Sequence, residues 1–203
     1  MPDVASVQDL MNEIDRTGFA KRPHAHVRVW FRGQQDATWR LEPGIYRSHI
    51  PAPNEDERLI LERHLNQDFQ IEAAGLLSGR ETRAELYFLQ QHYGLPTRLL
   101  DWTHRPLAAL YFAAFNDGVD GAFFIIDAYD LALTQGVLSS FRGVATSRHK
   151  LFEDEIQAIS NWTAKAALSF IMPVRPDHFD RRVAFQQSCF TFHSRDHKES
   201  LVK

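Results

Sequence analysis

The chain has 203 residues, a formal net charge of −3 and a hydrophobic content of 44%, values typical of one globular domain with a substantial core. This charge argues against a general nucleic-acid coat protein, and the single cysteine, Cys189, excludes an internal disulfide framework and indicates a reducing compartment. No apolar run is long enough to cross a membrane, and the N-terminus does not resemble a signal peptide. We therefore expect a cytoplasmic protein without a membrane partner, folded as a single domain over residues 1–203.

Helices are predicted where apolar residues recur every three or four positions behind a capping residue, and strands where apolar residues alternate or form a short continuous run. The predicted helices are one that follows Asp3 and ends by Gly18, one from Asn54 to about Gly75, and those at 81–93, 106–115 and 151–162. The predicted strands are 26–32, 97–102, 122–127 and 189–193, with a further candidate at 167–174. Long helices between such strands predict an α+β fold with a mixed β-sheet flanked by helices.

The first predicted strand ends in Arg32, which is followed by Gly33 and Gln34. An arginine at a strand end can hold a phosphate or a carboxylate through a bidentate pair, and Gly33 would let the backbone turn or approach a ligand closely. The alternative is a structural arginine that pairs with Asp36 or Asp101. The sequence of this segment alone leaves both interpretations open.

The densest group of polar side chains lies in the stretch QHYGLPTRLLDWT at 91–103. Gly94 is predicted to end a helix, Pro96 prevents that helix from resuming, and Thr103 is predicted to cap the helix at 106–115. Arg98, Asp101 and Thr103 would then lie between the exit of a strand and the entrance of a helix, where binding and catalytic groups concentrate. We expect Arg32, Arg98, Asp101 and Thr103 to surround one cleft.

Several familiar catalytic and binding patterns are missing from the sequence. There is no zinc-ligand spacing such as HExxH, no P-loop, no GxGxxG and no GxSxG elbow. The sequence therefore predicts no metal site and gives no support to P-loop nucleotide hydrolysis, Rossmann redox chemistry or the α/β-hydrolase route.

The segment WFRGQ at 30–34 and the stretch at 91–103 resemble the FRG-domain family, which takes its name from the Phe-Arg-Gly triplet. Further similarities to the family are Trp39, Leu41, Pro43, Arg47, Pro106, 109–113, 121–127, Arg182, Gln186, Phe190 and Thr191. The resemblance covers about 25–193. Family members usually continue with a further helical segment, so the C-terminal part of the pattern is expected to be missing here. They occur in bacteria and phages, sometimes near defence genes.

A weaker resemblance to the ADP-ribosyltransferase superfamily implies a mechanism and assigns roles to residues. By that resemblance Arg32 holds the phosphates of NAD, Thr97 or Thr103 supports the nicotinamide ribose, and Gln186 or Gln187 stands where the superfamily has a late glutamate. Because glutamine cannot act as a general base, Asp101 would have to supply the carboxylate. The catalytic set implied is Arg32, Asp101 and Gln186, and the cofactor-binding set is Arg32, Gly33, Gln34, Tyr93, Thr97, Arg98 and Thr103.

These resemblances imply an NAD-consuming ADP-ribosyltransferase-like enzyme that acts as a bacterial or phage toxin or defence effector, with NAD as substrate and a protein or nucleic-acid acceptor. The alternative is a non-catalytic module that binds a nucleotide or single-stranded nucleic acid through arginines and exposed aromatic residues. A third interpretation is a structural ion network around Arg32, Arg98 and Asp101.

Overall fold

A computed structural model describes residues 3–136, 144–146, 148–161, 170–176 and 188–194 of the chain. Its helices are α1 (Val7–Arg16), α2 (Ala25–Arg28), α3 (Glu55–Glu72), α4 (Arg83–His92), α5 (Pro106–Ala113), α6 (Ala128–Thr134) and α7 (Lys150–Asn161). Its strands are β1 (Val29–Gln34), β2 (Leu99–Thr103), β3 (Ala122–Asp127), β4 (Ala145–Thr146), β5 (Ile171–Arg175) and β6 (Ser188–His193). Short 3-10 turns lie at Phe19–Lys21 and Gly44–Tyr46.

The strands form a six-stranded sheet in the order β3-β1-β2-β6-β5-β4. All neighbouring pairs are antiparallel except β4 and β5, which are parallel. The predicted α+β class with a mixed sheet is therefore confirmed.

Local capping explains where the helices begin. The Asn54 side chain accepts a hydrogen bond from the Glu57 amide at the start of α3, and Thr82 and Glu85 form a capping box at the start of α4. Asp127 accepts hydrogen bonds from the amides of Tyr129 and Asp130, so it caps α6. Its carboxylate also pairs with Arg22 and Arg28, so Asp127 has a structural role.

Two boundary predictions were wrong. Residues 26–28 belong to the short helix α2, and β1 begins only at Val29. Thr103 does not cap α5 directly, because the N-cap position is Arg105 and the Thr103 hydroxyl instead accepts the Arg105 amide at 3.1 Å. Pro106 begins that helix, where its missing N–H costs little.

Both faces of the sheet are covered. On one face, a cluster around Phe88, Phe152 and Phe192 packs α4 and α7 against the sheet, and a second cluster joins α1 and α5 to Val29 and Phe31. On the other face, Trp30, Leu100 and Trp102 pack with Ala128 of α6. The helix α3 lies outside α4 and α7 and contacts both.

No helix in the described part of the chain is long and apolar enough to cross a membrane.

Candidate functional site

The strands β1 and β2 separate at one end, and this separation creates the site. Their register contains one Cα pair, Phe31 with Thr103, whereas β1 and β3 are paired along their whole length. Because the two strands are antiparallel, the residues after Phe31 in β1 and those before Thr103 in β2 run in the same direction from this pair, so Arg32 and Asp101 both lie where the strands have separated. The backbone of β2 is therefore open towards β1 there, and the Arg32 side chain fills the gap by donating from Nη1 to the Asp101 carbonyl oxygen at 2.8 Å.

A cavity of about 550 Å³ opens at this gap. Its walls come from the end of β1, the following loop, β2, the first turns of α5 and the start of β6. The lining residues are Phe31, Arg32, Gly33, Gln34, Gln35, Trp39, Asp101, Trp102, Thr103, Arg105, Ala108, Ala109, Phe112 and Ser188. This volume and mixed aromatic and charged lining are typical of small-molecule sites.

The close approach of α5 to β1 fixes one wall of the cavity. A Cβ atom added at Gly33 would lie 1.9 Å from the Ala109 carbonyl oxygen and 2.6 Å from the Ala113 amide nitrogen. Gly33 therefore permits the close packing of α5, and the expectation that it also lets a ligand approach stays a prediction. A Cβ at Gly121 would likewise meet the Ala113 carbonyl oxygen at 1.9 Å.

Arg32 is held on two sides and leaves one nitrogen for a ligand. Besides the bond from Nη1, its Nε donates to the Gln34 side-chain oxygen at 3.3 Å. Among the described residues no carboxylate oxygen lies within 4.0 Å of its guanidinium, and Nη2 has no hydrogen-bond partner. Burial, with a contribution from the nearby charge of Arg47, lowers the pKa of Arg32 to about 10, so the group remains charged at neutral pH.

Asp101 faces the cavity with its carboxylate and is oriented by Gln91. The Gln91 Nε2 donates to Asp101 Oδ2 at 2.7 Å. Loss of solvation on burial raises the pKa of Asp101 above its usual value, while the charge of Arg32 and the hydrogen bond from Gln91 oppose that rise. A carboxylate with a raised pKa next to an arginine fork is the arrangement found at many sites of acid–base or electrostatic chemistry.

Of the residues expected around one cleft, Arg32, Asp101 and Thr103 line this cavity, and so do Gly33 and Gln34 of the implied cofactor-binding set.

Arg98 does not line this cavity, so its expected place around the cleft was wrong. Its side chain is 1% exposed, and its Nε and Nη2 donate to Glu62 Oε2, both at 2.7 Å. Tyr87 completes the cluster, because its hydroxyl donates to Glu62 Oε1 at 2.5 Å and accepts the Arg98 amide at 2.8 Å. This ion pair attaches β2 to α3 and is structural. The predicted network of Arg32, Arg98 and Asp101 therefore does not form.

Two other predicted cofactor-binding residues also lie away from the cavity wall. Thr97 is 1% exposed and donates from its hydroxyl to the Gln91 side-chain oxygen at 2.5 Å. Tyr93 is 60% exposed at the end of α4, where its ring packs against Phe69 and His92. Neither side chain is placed to hold a ligand in the cavity.

Gln186 and Gln187 lie outside the described residues, so the role implied for them stays a prediction. Among the residues that the structure describes, no group of three or more His, Cys, Asp or Glu side chains is arranged to hold a metal ion.

Sequence reasoning missed the aromatic residues that line the cavity and the side chain behind Asp101. Trp39 and Phe112 are named in the sequence analysis only among the similarities to the family, with no binding role assigned to them. Gln91 lies in the dense polar stretch, but only the contact across the end of α4 shows that it binds Asp101.

Comparison with known proteins agrees with this placement. Residues 27–120 match the family model of the FRG domain, and that segment contains Arg32, Asp101 and all but Ser188 of the cavity wall. Searches of curated proteins and of solved structures each found no significant match. The resemblance to ADP-ribosyltransferases therefore stays a prediction, whereas the resemblance to the FRG-domain family is confirmed over residues 27–120, where the chain matches the family model.

Proposed function

We propose that the cavity is the site of an NAD-consuming, ADP-ribosyltransferase-like enzyme. The observation that carries this proposal is that Arg32 and Asp101 share one cavity, with Arg32 Nη2 left without a hydrogen-bond partner among the described residues. NAD has an anionic diphosphate and a cationic nicotinamide ring, so a cavity that offers both an arginine and a carboxylate suits its charge distribution.

Arg32 is assigned to the diphosphate. Its contacts with Gln34 and with the Asp101 carbonyl fix the guanidinium plane before any ligand arrives. A guanidinium held in this way loses little conformational freedom on binding, which increases the affinity for a phosphate.

Asp101 is assigned to the reacting ribose. In the proposed reaction the bond between the ribose C1′ and the nicotinamide nitrogen breaks, and its electron pair leaves with nicotinamide. Positive charge then builds on the ribose, and the carboxylate stabilises that charge. An acceptor oxygen or nitrogen forms the new bond to C1′ and loses its proton, which the Asp101 carboxylate can take. The products are nicotinamide and the ADP-ribosylated acceptor.

Aromatic rings give the cavity surfaces on which flat ligand rings can stack. Trp39 and Phe112 of α5 both line the cavity, and each side chain is about half exposed. Stacking of a heterocycle on such a ring contributes roughly 1–3 kcal/mol per base in single-strand binders. These residues can hold the nicotinamide or the adenine ring.

The same observation supports a second candidate function, a module that binds a nucleotide or single-stranded nucleic acid without turnover. The combination of arginines and stacking surfaces at the cavity favours it, since Arg105 lines the cavity together with Arg32, Trp39 and Phe112.

For the biological role, we propose that this chain acts as a toxin or defence effector in the cytoplasm. The resemblance to a family whose members occur near defence genes supports this proposal.

One experiment separates the two candidates. Purified protein is incubated with NAD, nicotinamide release is measured by chromatography, and NAD binding is measured by calorimetry. The enzyme predicts catalytic release of nicotinamide, whereas the binding module predicts saturable binding of NAD or of a short oligonucleotide with no release. Absence of both binding and release would contradict both proposals.

A further inference from the structure

Two hydrogen bonds connect Thr97, Gln91 and Asp101 in a chain that ends at the cavity. The Thr97 hydroxyl donates to Gln91 Oε1 at 2.5 Å, and Gln91 Nε2 donates to Asp101 Oδ2 at 2.7 Å. Thr97 lies in the loop before β2, Gln91 lies near the end of α4, and Asp101 lies in the middle of β2. The two hydrogen bonds therefore depend on how α4 is placed against β2. Thr97 is 1% exposed, and only Asp101 of the three reaches the cavity wall.

The orientation of the Gln91 amide decides which form of Asp101 is favoured. With its NH₂ group towards Asp101, Gln91 donates to an ionised carboxylate. With the amide turned over, its carbonyl oxygen would face Asp101, and that contact is favourable only if the carboxyl group carries a proton. The amide orientation and the Asp101 proton are therefore coupled.

Thr97 selects one of these two orientations. Its hydroxyl oxygen already accepts the Leu99 amide at 3.0 Å, so its own proton is available to donate. That proton needs an acceptor, and the Gln91 carbonyl oxygen supplies one in the orientation seen here. Thr97 is 1% exposed and Gln91 is partly buried, so water is a poor replacement for this bond on the Thr97 side.

We propose that Gln91 and Thr97 are positioning residues that keep Asp101 ionised and directed into the cavity. Thr97 holds the Gln91 amide, and the amide holds the carboxylate. Neither residue needs to touch the ligand. This inference rests on the proposed function in one respect, namely that the ionised form of Asp101 is the one that acts on the ribose.

The test uses three variants of the full chain. Gln91→Met keeps the length of the side chain and removes the donor to Asp101. Thr97→Val keeps the shape and removes the hydroxyl, whereas Thr97→Ser keeps the hydroxyl and is the matched control. Circular dichroism and thermal melting establish that each variant folds.

The main measurement is the pH titration of the Asp101 side-chain carboxyl carbon by ¹³C NMR. We expect the pKa of Asp101 to shift upward in Gln91→Met and in Thr97→Val, and to stay at the wild-type value in Thr97→Ser. Folded Gln91→Met and Thr97→Val variants with an unchanged Asp101 titration would overturn the inference. A merely structural role for these residues would lower the melting temperature without moving this titration.

A second measurement needs no variant and covers the case in which Thr97→Val fails to fold. In the wild-type protein, the side-chain NH₂ resonances of Gln91 should shift with the same midpoint as the Asp101 carboxyl carbon. Resonances that do not respond to that midpoint would overturn the inference.

The failure of this inference and the failure of the proposed function give different results. If the wild-type protein releases nicotinamide, the acidic limb of its pH–rate profile should move to higher pH in Gln91→Met. If it neither binds nor cleaves NAD, the proposed function fails, while the NMR titrations still decide whether Gln91 and Thr97 control Asp101.

Discussion

At the scale of single residues, Arg32 and Asp101 differ from Arg98 and Asp127 because they line the cavity. Arg98 is bound by a buried carboxylate, and Asp127 is bound by two arginines. Arg32 instead uses a backbone carbonyl and an amide oxygen, which hold it without neutralising its charge.

Replacing Arg32 by lysine tests the phosphate assignment. Arg32→Lys keeps the positive charge but cannot make the planar fork, so we expect NAD binding to weaken by about 1–3 kcal/mol, with little change in melting temperature. Calorimetric titration with NAD measures the effect. Arg16→Lys, on the exposed face of α1, is the matched control and should bind as wild type. Unchanged affinity in Arg32→Lys would remove this residue from the site.

The melting temperature of Asp101→Asn tests whether the folded protein raises the pKa of the Asp101 carboxyl group. Because the folded protein raises the pKa of Asp101 above 3.8, the folded state holds its proton to higher pH than the unfolded state does. Stability contributed by this group is therefore lost as pH rises from the unfolded pKa through the folded pKa. Since asparagine cannot ionise, we expect Asp101→Asn to gain melting temperature relative to wild type at pH 7, with the gain disappearing near pH 3.

Asp36→Asn provides a control of opposite sign. Hydrogen bonds from Thr38 lower the pKa of Asp36, so its ionised form favours folding and its loss should reduce stability at pH 7. If Asp101→Asn lowers the melting temperature by the same amount at pH 3 and pH 7, Asp101 is a structural group, and its ionisation does not destabilise the fold.

At the scale of elements, the site depends on the position of α5 against β1. Gly33 and Gly121 permit a backbone contact that any side chain would block. The helix is thereby held close to the point where β1 and β2 separate, and Phe112 is brought to the cavity.

Gly33→Ala should move this helix. The added methyl group would overlap the Ala109 carbonyl oxygen, and we expect a loss of about 1–3 kcal/mol in the free energy of unfolding, together with weaker NAD binding. Urea denaturation and calorimetry measure the two effects. Gly75→Ala is the matched control, because a Cβ there meets no atom within 4 Å. Equal stability of the two variants would show that the contact between α5 and β1 is not tight.

Most helices and strands, and the centre of the candidate site, could be predicted from the sequence because they depend on local patterns. The errors concern contacts between residues on different elements. Period and capping residues identify β3, α3 and α4, while the density of polar groups in the stretch at 91–103 indicates Asp101. Arg98 was misplaced because its partner, Glu62, lies 36 residues earlier on another element. No local pattern shows that contact. Gln91 was missed for the same reason, since its bond to Asp101 spans the end of a helix and a strand.

At the scale of the whole molecule, the buried pair of Arg98 and Glu62 connects the outer helix α3 to the central strand β2. Tyr87 of α4 shares the same carboxylate. The helices α3 and α4 therefore meet the start of β2, the strand that carries Asp101, at one buried ion pair.

Removing one partner of this pair should destabilise the whole fold. Glu62→Gln removes the counter-ion at 2.7 Å from the buried Arg98 Nη2 and leaves it the more distant Glu55 Oε1 at 3.7 Å, and we expect a loss of about 3–5 kcal/mol in the free energy of unfolding. Chemical denaturation gives the value, and Asp154→Asn in the exposed pair with Lys150 is the control, with an expected loss below about 1 kcal/mol. A loss in Glu62→Gln as small as that of the control would show that the pair does not hold α3 to β2.

The central claim, that Asp101 in this cavity acts on the nicotinamide–ribose bond of NAD, is tested most directly by one comparison. Nicotinamide release is measured for wild type and for Asp101→Asn at neutral pH, at NAD concentrations that saturate each protein by calorimetry. We predict catalytic release by the wild type and a loss of at least about 100-fold in Asp101→Asn, the lower range for removing a group that acts in the transition state. Equal release by the two proteins, or binding without any release by the wild type, would contradict the account.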